Sequence, residues 1–249
     1  MFGFLLRKLP AVILVAFVSS IIAFTLPRLA PGDPAITVAG SDATQEQLAA
    51  VREELGLNQP MPVQYIHWLT GALHGDFGQS YVMRRPVSTV IADRLESTLE
   101  LAGLATIIMI VVGLGLGVLA GTERTPWARA VLDVATTILL ATPPFLTGLI
   151  LILIFGIAFH LLPVSGEVNL SKDPVMGFKF LILPAIALAL PQSAMIARLL
   201  QTTMNSTRGE DFVDLAKAKG VPRGRIVRKH VLRNSLGPAI VAIGLRIGD

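Results

Sequence analysis

Along the chain, apolar and charged positions separate into long blocks. Uncharged, mostly apolar runs cover Leu9–Leu26 (18 residues), Leu101–Thr122 (22), Val134–Phe159 (26) and Phe180–Ala197 (18). A helix crossing a hydrocarbon core of about 30 Å needs about 20 apolar residues, so each run predicts a membrane span. A fifth run, Asn234–Leu245, has 12 residues before Arg246. Alone it is too short to cross, and it reads as a membrane-entering stub or the start of a longer helix. Arg7 and Lys8 ahead of the first run also suit a cleavable signal peptide. Its length and the following Pro27-Arg28, where a small-x-small site is expected, favour an uncleaved first span.

Between the runs the pattern turns amphipathic. Thr44–Leu57 predicts a helix with Thr44 as cap, Gln47 three residues on, Leu48, Val51 and Leu55 as its apolar face, and Gly56 as its stop. A turn at Asn58-Gln59-Pro60-Met61-Pro62 leads to a second short helix over Val63–Leu73. Farther on, Asn205-Ser206-Thr207 supply cap residues, Glu210, Asp211 and Asp214 fill the first turns, and Lys217 and Lys219 the last. That order suits the helix dipole, and Gly220 followed by Pro222 ends the helix. Phe212, Leu215 and Ala216 predict its apolar face. A basic helix then runs from near Arg225 to about Leu236.

Composition sharpens this picture. Only 15% of residues are charged and 53% are apolar, against about 25% charged in soluble domains. With no cysteine, a disulfide scaffold, a Cys-ligated zinc site and a Cys nucleophile are excluded. The net charge of +4 is unevenly laid out. Residues 198–235 carry nine basic and three acidic residues, and 30–100 carry four basic and nine acidic. Lys and Arg gather on the cytoplasmic side of membrane proteins. Together with Arg7, Lys8, Arg124 and Arg129, they predict a cytoplasmic N-terminus, 30–100 outside, 123–130 inside, 161–179 outside and 198–235 inside. The basic excess is thereby topological, and nucleic-acid binding loses its support.

Candidate chemistry within the spans is sparse. Gly113, Gly117 and Gly121 recur every four residues, with Gly115 between, as in a helix-packing face; glycine is also simply common in membrane helices. Thr142-Pro143-Pro144, Pro184 and Pro191 predict kinks, which suit a pathway lining or a purely structural bundle. Asp133 falls at a span edge near Arg129, as in a boundary ion pair, and His160 at the far end of the same span. No acidic or His relay lies deep in a span, which argues against a proton-coupled carrier or pump. His67, His74 and Asp76 match no compact metal spacing, so no metal site is expected. The basic segment 205–236 suits either a docking lever for a cytoplasmic protein or a surface helix held on anionic lipid.

One block decides between these. Ala216-Lys217-Ala218-Lys219-Gly220, continuing through Arg228-Lys229-His230-Val231-Leu232-Arg233-Asn234-Ser235 to Pro238, resembles the cytoplasmic EAA-type loop of binding-protein-dependent ABC transporter permeases. The dipeptide/oligopeptide/nickel branch is the most similar. Arg28-Leu29-Ala30-Pro31-Gly32-Asp33-Pro34, Leu55-Gly56-Leu57-x-Gln59-Pro60-x-Pro62-Val63-Gln64-Tyr65, Gly75-Asp76-Phe77-Gly78-Gln79-Ser80 and Arg94-Leu95-Glu96-Ser97-Thr98-Leu99-Glu100-Leu101-Ala102 extend the resemblance. Asp214-Leu215-Ala216 stands where the general pattern has Glu-Ala-Ala, and Gly237 where an apolar residue is usual.

The resemblance implies an all-α polytopic membrane protein with the type-I ABC importer transmembrane (MetI-like) fold. About five of an expected six spans are present, so a C-terminally truncated member is expected. Its parts are 1–29, the N-terminal tip and first span; 30–93, an extracytoplasmic segment; and 94–249, the transmembrane core with a coupling loop at about 205–236. The implied protein is a multi-pass permease subunit of a bacterial or archaeal plasma (inner) membrane and not an enzyme. It pairs with a second permease subunit, cytoplasmic ABC ATPases and an extracytoplasmic solute-binding protein. Peptides, nickel chelates, glutathione and sugars are the solute classes of this branch. ATPase coupling is implied for Asp214, Leu215, Ala216, Ala218, Gly220, Arg228 and His230. No cofactor is expected on this chain: Gly-x4-Gly-Lys-Ser/Thr is absent, so ATP belongs to the partner. The alternative is a truncated, non-transporting adaptor whose basic segment only docks a partner.

Overall fold

The computed structural model describes residues 2–29, 32–40, 42–122 and 125–246. Ala30 and Pro31 of the block beginning at Arg28, and Arg124 of the 123–130 segment, lie outside the described residues. The chain forms two compact units, Met1–Arg94 and Leu95–Asp249. Among the described residues both are helical, apart from one two-stranded antiparallel ribbon, β1 (Gln79–Ser80) with β2 (Arg85–Pro86).

The first unit opens with α1 (Phe2–Leu29), which contains the apolar stretch Arg7–Leu26 and turns Val12, Leu14 and Val15 outward. Apolar residues all round a helix are what a lipid environment requires. Three short helices follow: α2 (Pro34–Ala39), α3 (Gln45–Glu54) and α4 (Met61–Leu73). The Thr44 hydroxyl accepts from Gln47 N–H while the Gln47 side chain accepts from Thr44 N–H, so the expected capping box forms. The helix ends at Glu54, and Gly56 at φ +66° makes the turn beyond it. Asp33 caps α2 through Ala35 N–H and pairs with the Arg52 guanidinium. The hydrogen bonds from Arg52, then from Ala35, hold the Asp33 carboxyl below the usual carboxylate range.

The second unit is organised around α8 (Pro174–Thr207), which keeps a continuous helix through Pro184 and Pro191. Asp173 caps it by accepting from Val175 and Met176 N–H, both at 3.0 Å. Against α8 pack α6 (Pro126–Ala141), α7 (Pro144–Leu151) and α11 (Arg233–Arg246). The long α5 (Val87–Thr122) enters this unit and shares the apolar core: Met109 joins Ala189, Ile196 and Ile243. Among the described residues three helices are long and apolar enough to cross a membrane: α1, α5 and α8. The span expected over Val134–Phe159, with a kink at Thr142-Pro143-Pro144, is broken into two helical pieces. After α6 the chain turns by 105° at Thr142-Pro143 and continues as α7 and a π-helical stretch, Ile152–Ala158. Pro143 and Pro144 explain the break, since a proline ring excludes the helical conformation of the residue before it and lacks the N–H to continue the ladder.

Two more expectations are corrected here. Asn205-Ser206-Thr207 do not cap a new helix; they are the last residues of α8, and α9 (Asp211–Ala218) starts after Glu210. The basic helix begins earlier and runs farther than Arg225–Leu236. It comprises α10 (Arg223–Arg225), a π-helical stretch Ile226–Leu232 and α11, passing through Pro238.

Candidate functional site

The segment following α8 is built like a bracket. α9 opens with Asp211 and Asp214 and closes with Lys217, favourable at both ends of the helix dipole. Lys217 Nζ lies 2.7 Å from Asp214 Oδ1. At its C-terminus Gly220 N–H donates to the Lys217 carbonyl (2.9 Å) and Val221 N–H to the Ala216 carbonyl (3.1 Å). This double return is a Schellman motif. It needs a left-handed residue, and Gly220 sits at φ +71°.

Packing decides which side of α9 faces in. Val213 and Ala216 are buried with Leu200 and Met204 of α8 and with Ile226, Val231 and Ala239 of the following helix. Phe212 and Leu215 are not part of that face: they are 40% and 56% exposed. The expected Phe212–Leu215–Ala216 face is therefore corrected, with Ala216 alone of the three turned inward. α9 has two apolar strips about 100° apart, and its neighbours choose one. Asp214, Ala218 and Gly220 lie on the exposed side, Arg228 is exposed on the next helix, and His230 is half-buried there. Phe212 is exposed beside Leu215, three residues away on the same strip.

The bracket is fastened to α8 by polar contacts. The buried Ser235 hydroxyl lies 3.1 Å from Thr207 Oγ1 and 2.9 Å from the Val231 carbonyl oxygen, while Thr203 Oγ1 donates to the Ser235 carbonyl at 3.3 Å. Deeper in the unit Gln201 Nε2 donates to Asp133 Oδ1 (2.8 Å) and Arg198 Nη2 to Thr137 Oγ1 (2.7 Å), tying α6 to α8. Asp133, expected at the span edge near Arg129, thus also holds Gln201.

Gly113, Gly117 and Gly121 of α5 are buried against α8. A Cβ at Gly117 would lie 2.9 Å from Leu200 Cβ and 3.1 Å from Ala197 Cα, whereas one at Gly115 meets nothing within 4 Å. At the other end of α5, Glu96 accepts from Asn169 (2.7 Å) and Ser171 (2.6 Å), and Glu100 from Leu170 N–H (2.9 Å). The structure thus gives the Arg94–Glu100 block a task that sequence reading left unassigned: it pins the loop preceding α8. His160 closes the π-helical stretch at φ +53°. His74 Nδ1 lies 2.8 Å from the Thr70 carbonyl and Asp76 accepts from Gly78 N–H, so both are used locally.

Two family matches cover the chain except for residues 103–112. Residues 113–249 match the binding-protein-dependent transport system inner membrane component, and residues 1–102 match the N-terminal part of such membrane components. The chain belongs to this permease family. It is 38% identical to a probable peptide ABC transporter permease of Sinorhizobium fredii, covering 97% of this chain and 77% of that protein. A putative peptide transport system permease of Brucella abortus is 34% identical, over 98% and 78%. The glutathione transport system permease of Salmonella typhimurium is also 34% identical, over 100% and 78%. The fold is accordingly the MetI-like one expected, and the protein is a transport component of a membrane.

Proposed function

We propose that this permease forms half of the transmembrane pathway of an ABC importer for peptides or glutathione-like solutes, with residues 205–236 as the element that couples it to a cytoplasmic ATPase. One observation carries the coupling assignment. On α9 the face made by Val213 and Ala216 is locked into the core, and the adjacent face presents Phe212 and Leu215 to solvent on a rigid, Gly220-terminated bracket. A helix so anchored moves with α8 and α11 as one body. Closure of two ATPase subunits on their nucleotides then pushes the bracket and, through Thr207–Ser235 and Gln201–Asp133, the membrane helices it is fastened to. Asp214, Leu215, Ala216, Ala218, Gly220, Arg228 and His230 belong to this element by resemblance, and Phe212 joins them by exposure. A second permease subunit completes the pathway, a binding protein delivers the solute from outside, and alternating access follows the ATPase cycle.

The test is the double variant Phe212→Asp/Leu215→Asp in the assembled transporter. Both side chains are exposed, so membrane insertion and melting temperature should be retained while ATPase co-purification and solute uptake are lost. Wild-type co-purification together with wild-type uptake would overturn the coupling assignment. ATPase capture by the unmodified complex without uptake of any peptide or glutathione offered is the outcome of an adaptor.

A further inference from the structure

The first unit contains a helix whose surroundings do not match its place in a loop. α4 is 13 residues long and has no Asp, Glu, Lys or Arg. It is held against α1 at depth. Tyr65 stacks edge-on to Phe17 (6.3 Å between centroids) and Phe24 (5.4 Å), Trp68 lies 5.7 Å from Phe24, and Arg28 caps the group 3.6 Å above the Phe24 ring. The Tyr65 hydroxyl is 2.7 Å from Ser20 Oγ. Ser20 donates its one proton to the Phe17 carbonyl, so Tyr65 donates to Ser20. Ser20 precedes Leu26, the last residue of the apolar stretch of α1, by six residues, which places this bond about 9 Å inside the end of the span.

The rest of α4 is arranged as that depth demands. In hydrocarbon every polar group needs a partner within the protein. Gln64 Nε2 donates to the Leu57 and Gln59 carbonyls, Trp68 Nε1 to the Phe77 carbonyl and Thr70 Oγ1 to the Ile66 and His67 carbonyls. His67 lines a cavity of about 480 Å³ that it shares with Glu54, Asp76 and Tyr81. The remaining strip, Val63, Ile66 and Leu73, follows the helical repeat and is open, with Ile66 57% and Leu73 77% exposed. One flank is therefore on α1, one on that cavity, and one apolar flank is uncovered at the level of lipid-facing α1. Thirteen residues reach only about 20 Å, so α4 cannot span.

We propose that α4 lies within the leaflet at the C-terminal end of α1, with Val63, Ile66 and Leu73 covered by lipid acyl chains. An in-plane helix of this kind holds its apolar face about 5–10 Å into the headgroup–acyl boundary, the depth at which Tyr65 meets Ser20. The native chain has no cysteine, so single-cysteine variants can carry a nitroxide at chosen sites. Ile66→Cys, Leu73→Cys, Leu14→Cys on α1 and Glu54→Cys on α3 are spin-labelled in proteoliposomes, and collision with oxygen is compared with collision with a water-soluble nickel chelate. The expected oxygen-to-nickel ratio at positions 66 and 73 exceeds that at 54 severalfold and stays below that at 14, which lies deeper in the span. A ratio at 66 and 73 equal to that at 54 places α4 in water, and exclusion of both reagents places a protein surface over the strip; either result overturns the proposal.

Discussion

At Gly117 the distance between α5 and α8 is set by the absence of one carbon atom. A Cβ there would stand within 3.1 Å of both Leu200 Cβ and the Ala197 Cα, and the latter belongs to the backbone and cannot step aside. At Gly121 the nearest atom is the Met204 sulfur, 2.7 Å away on a flexible side chain, and at Gly115 there is open space. Alanine at 115 and at 117 brings the same gain in helix propensity, about 1 kcal/mol, so comparing the two variants isolates the overpacking. That difference should be about 1–3 kcal/mol, read as a lower melting temperature for Gly117→Ala than for Gly115→Ala in matched detergent. Equal melting temperatures would separate α5 from α8 at this point. The four-residue spacing made this stripe legible in the sequence; the identity of the opposing residues was not, because nothing local to α5 names α8.

Elements show where sequence reading holds and where it fails. The capping box of α3 and the left-handed stop of α9 were both legible, since each depends on residues within four positions of one another. The start of α9 and its inward face were not. Asn205, Ser206 and Thr207 are good cap residues, but a membrane-length helix already packed through Leu200 and Met204 continues over them. Val213 prevailed over Phe212 and Leu215 because Ile226 and Val231 lie on its side. The 105° corner was visible as a proline pair, yet an uncharged run looks the same whether straight or folded. The loop before α8 gives an element-scale prediction. Leu170 N–H has Glu100 as its acceptor, and hydrogen bonds to charged groups contribute about 1.5–3 kcal/mol. Glu100→Ala should therefore raise hydrogen exchange at the Leu170 amide by about 10- to 100-fold, at 1.4 kcal/mol per decade, and leave the amides of α9 unchanged. An unaltered Leu170 rate would show that the loop is held by other contacts.

Across the whole molecule, charge and hydrophobic layout act together. Residues 198–235 carry a net +6 and residues 30–100 a net −5. The first set encloses the bracket α9–α10 and the second encloses α2 to α4. If Lys and Arg stay on the cytoplasmic side, the exposed Phe212 and Leu215 face the compartment that holds ATP, and the Asp33–Arg52 pair faces the compartment from which solute arrives. Reporter fusions decide this. A phosphatase that is active only outside the cytoplasm should be active when fused after Gly78 and silent after Gly209, and a fluorescent protein that matures only in the cytoplasm should show the reverse. These sites are informative because Gly78 ends the turn leading into β1 and Gly209 lies between α8 and α9, so neither fusion interrupts a span. The reversed pattern would invert the assignment and with it the coupling role of α9, since an ATPase could not reach the bracket. The same signal at both sites would mean an even number of crossings between them, counting α5, the broken α6–α7 pair and α8. The 105° corner would then be re-entrant, with α6 and α7 returning to the side from which they began.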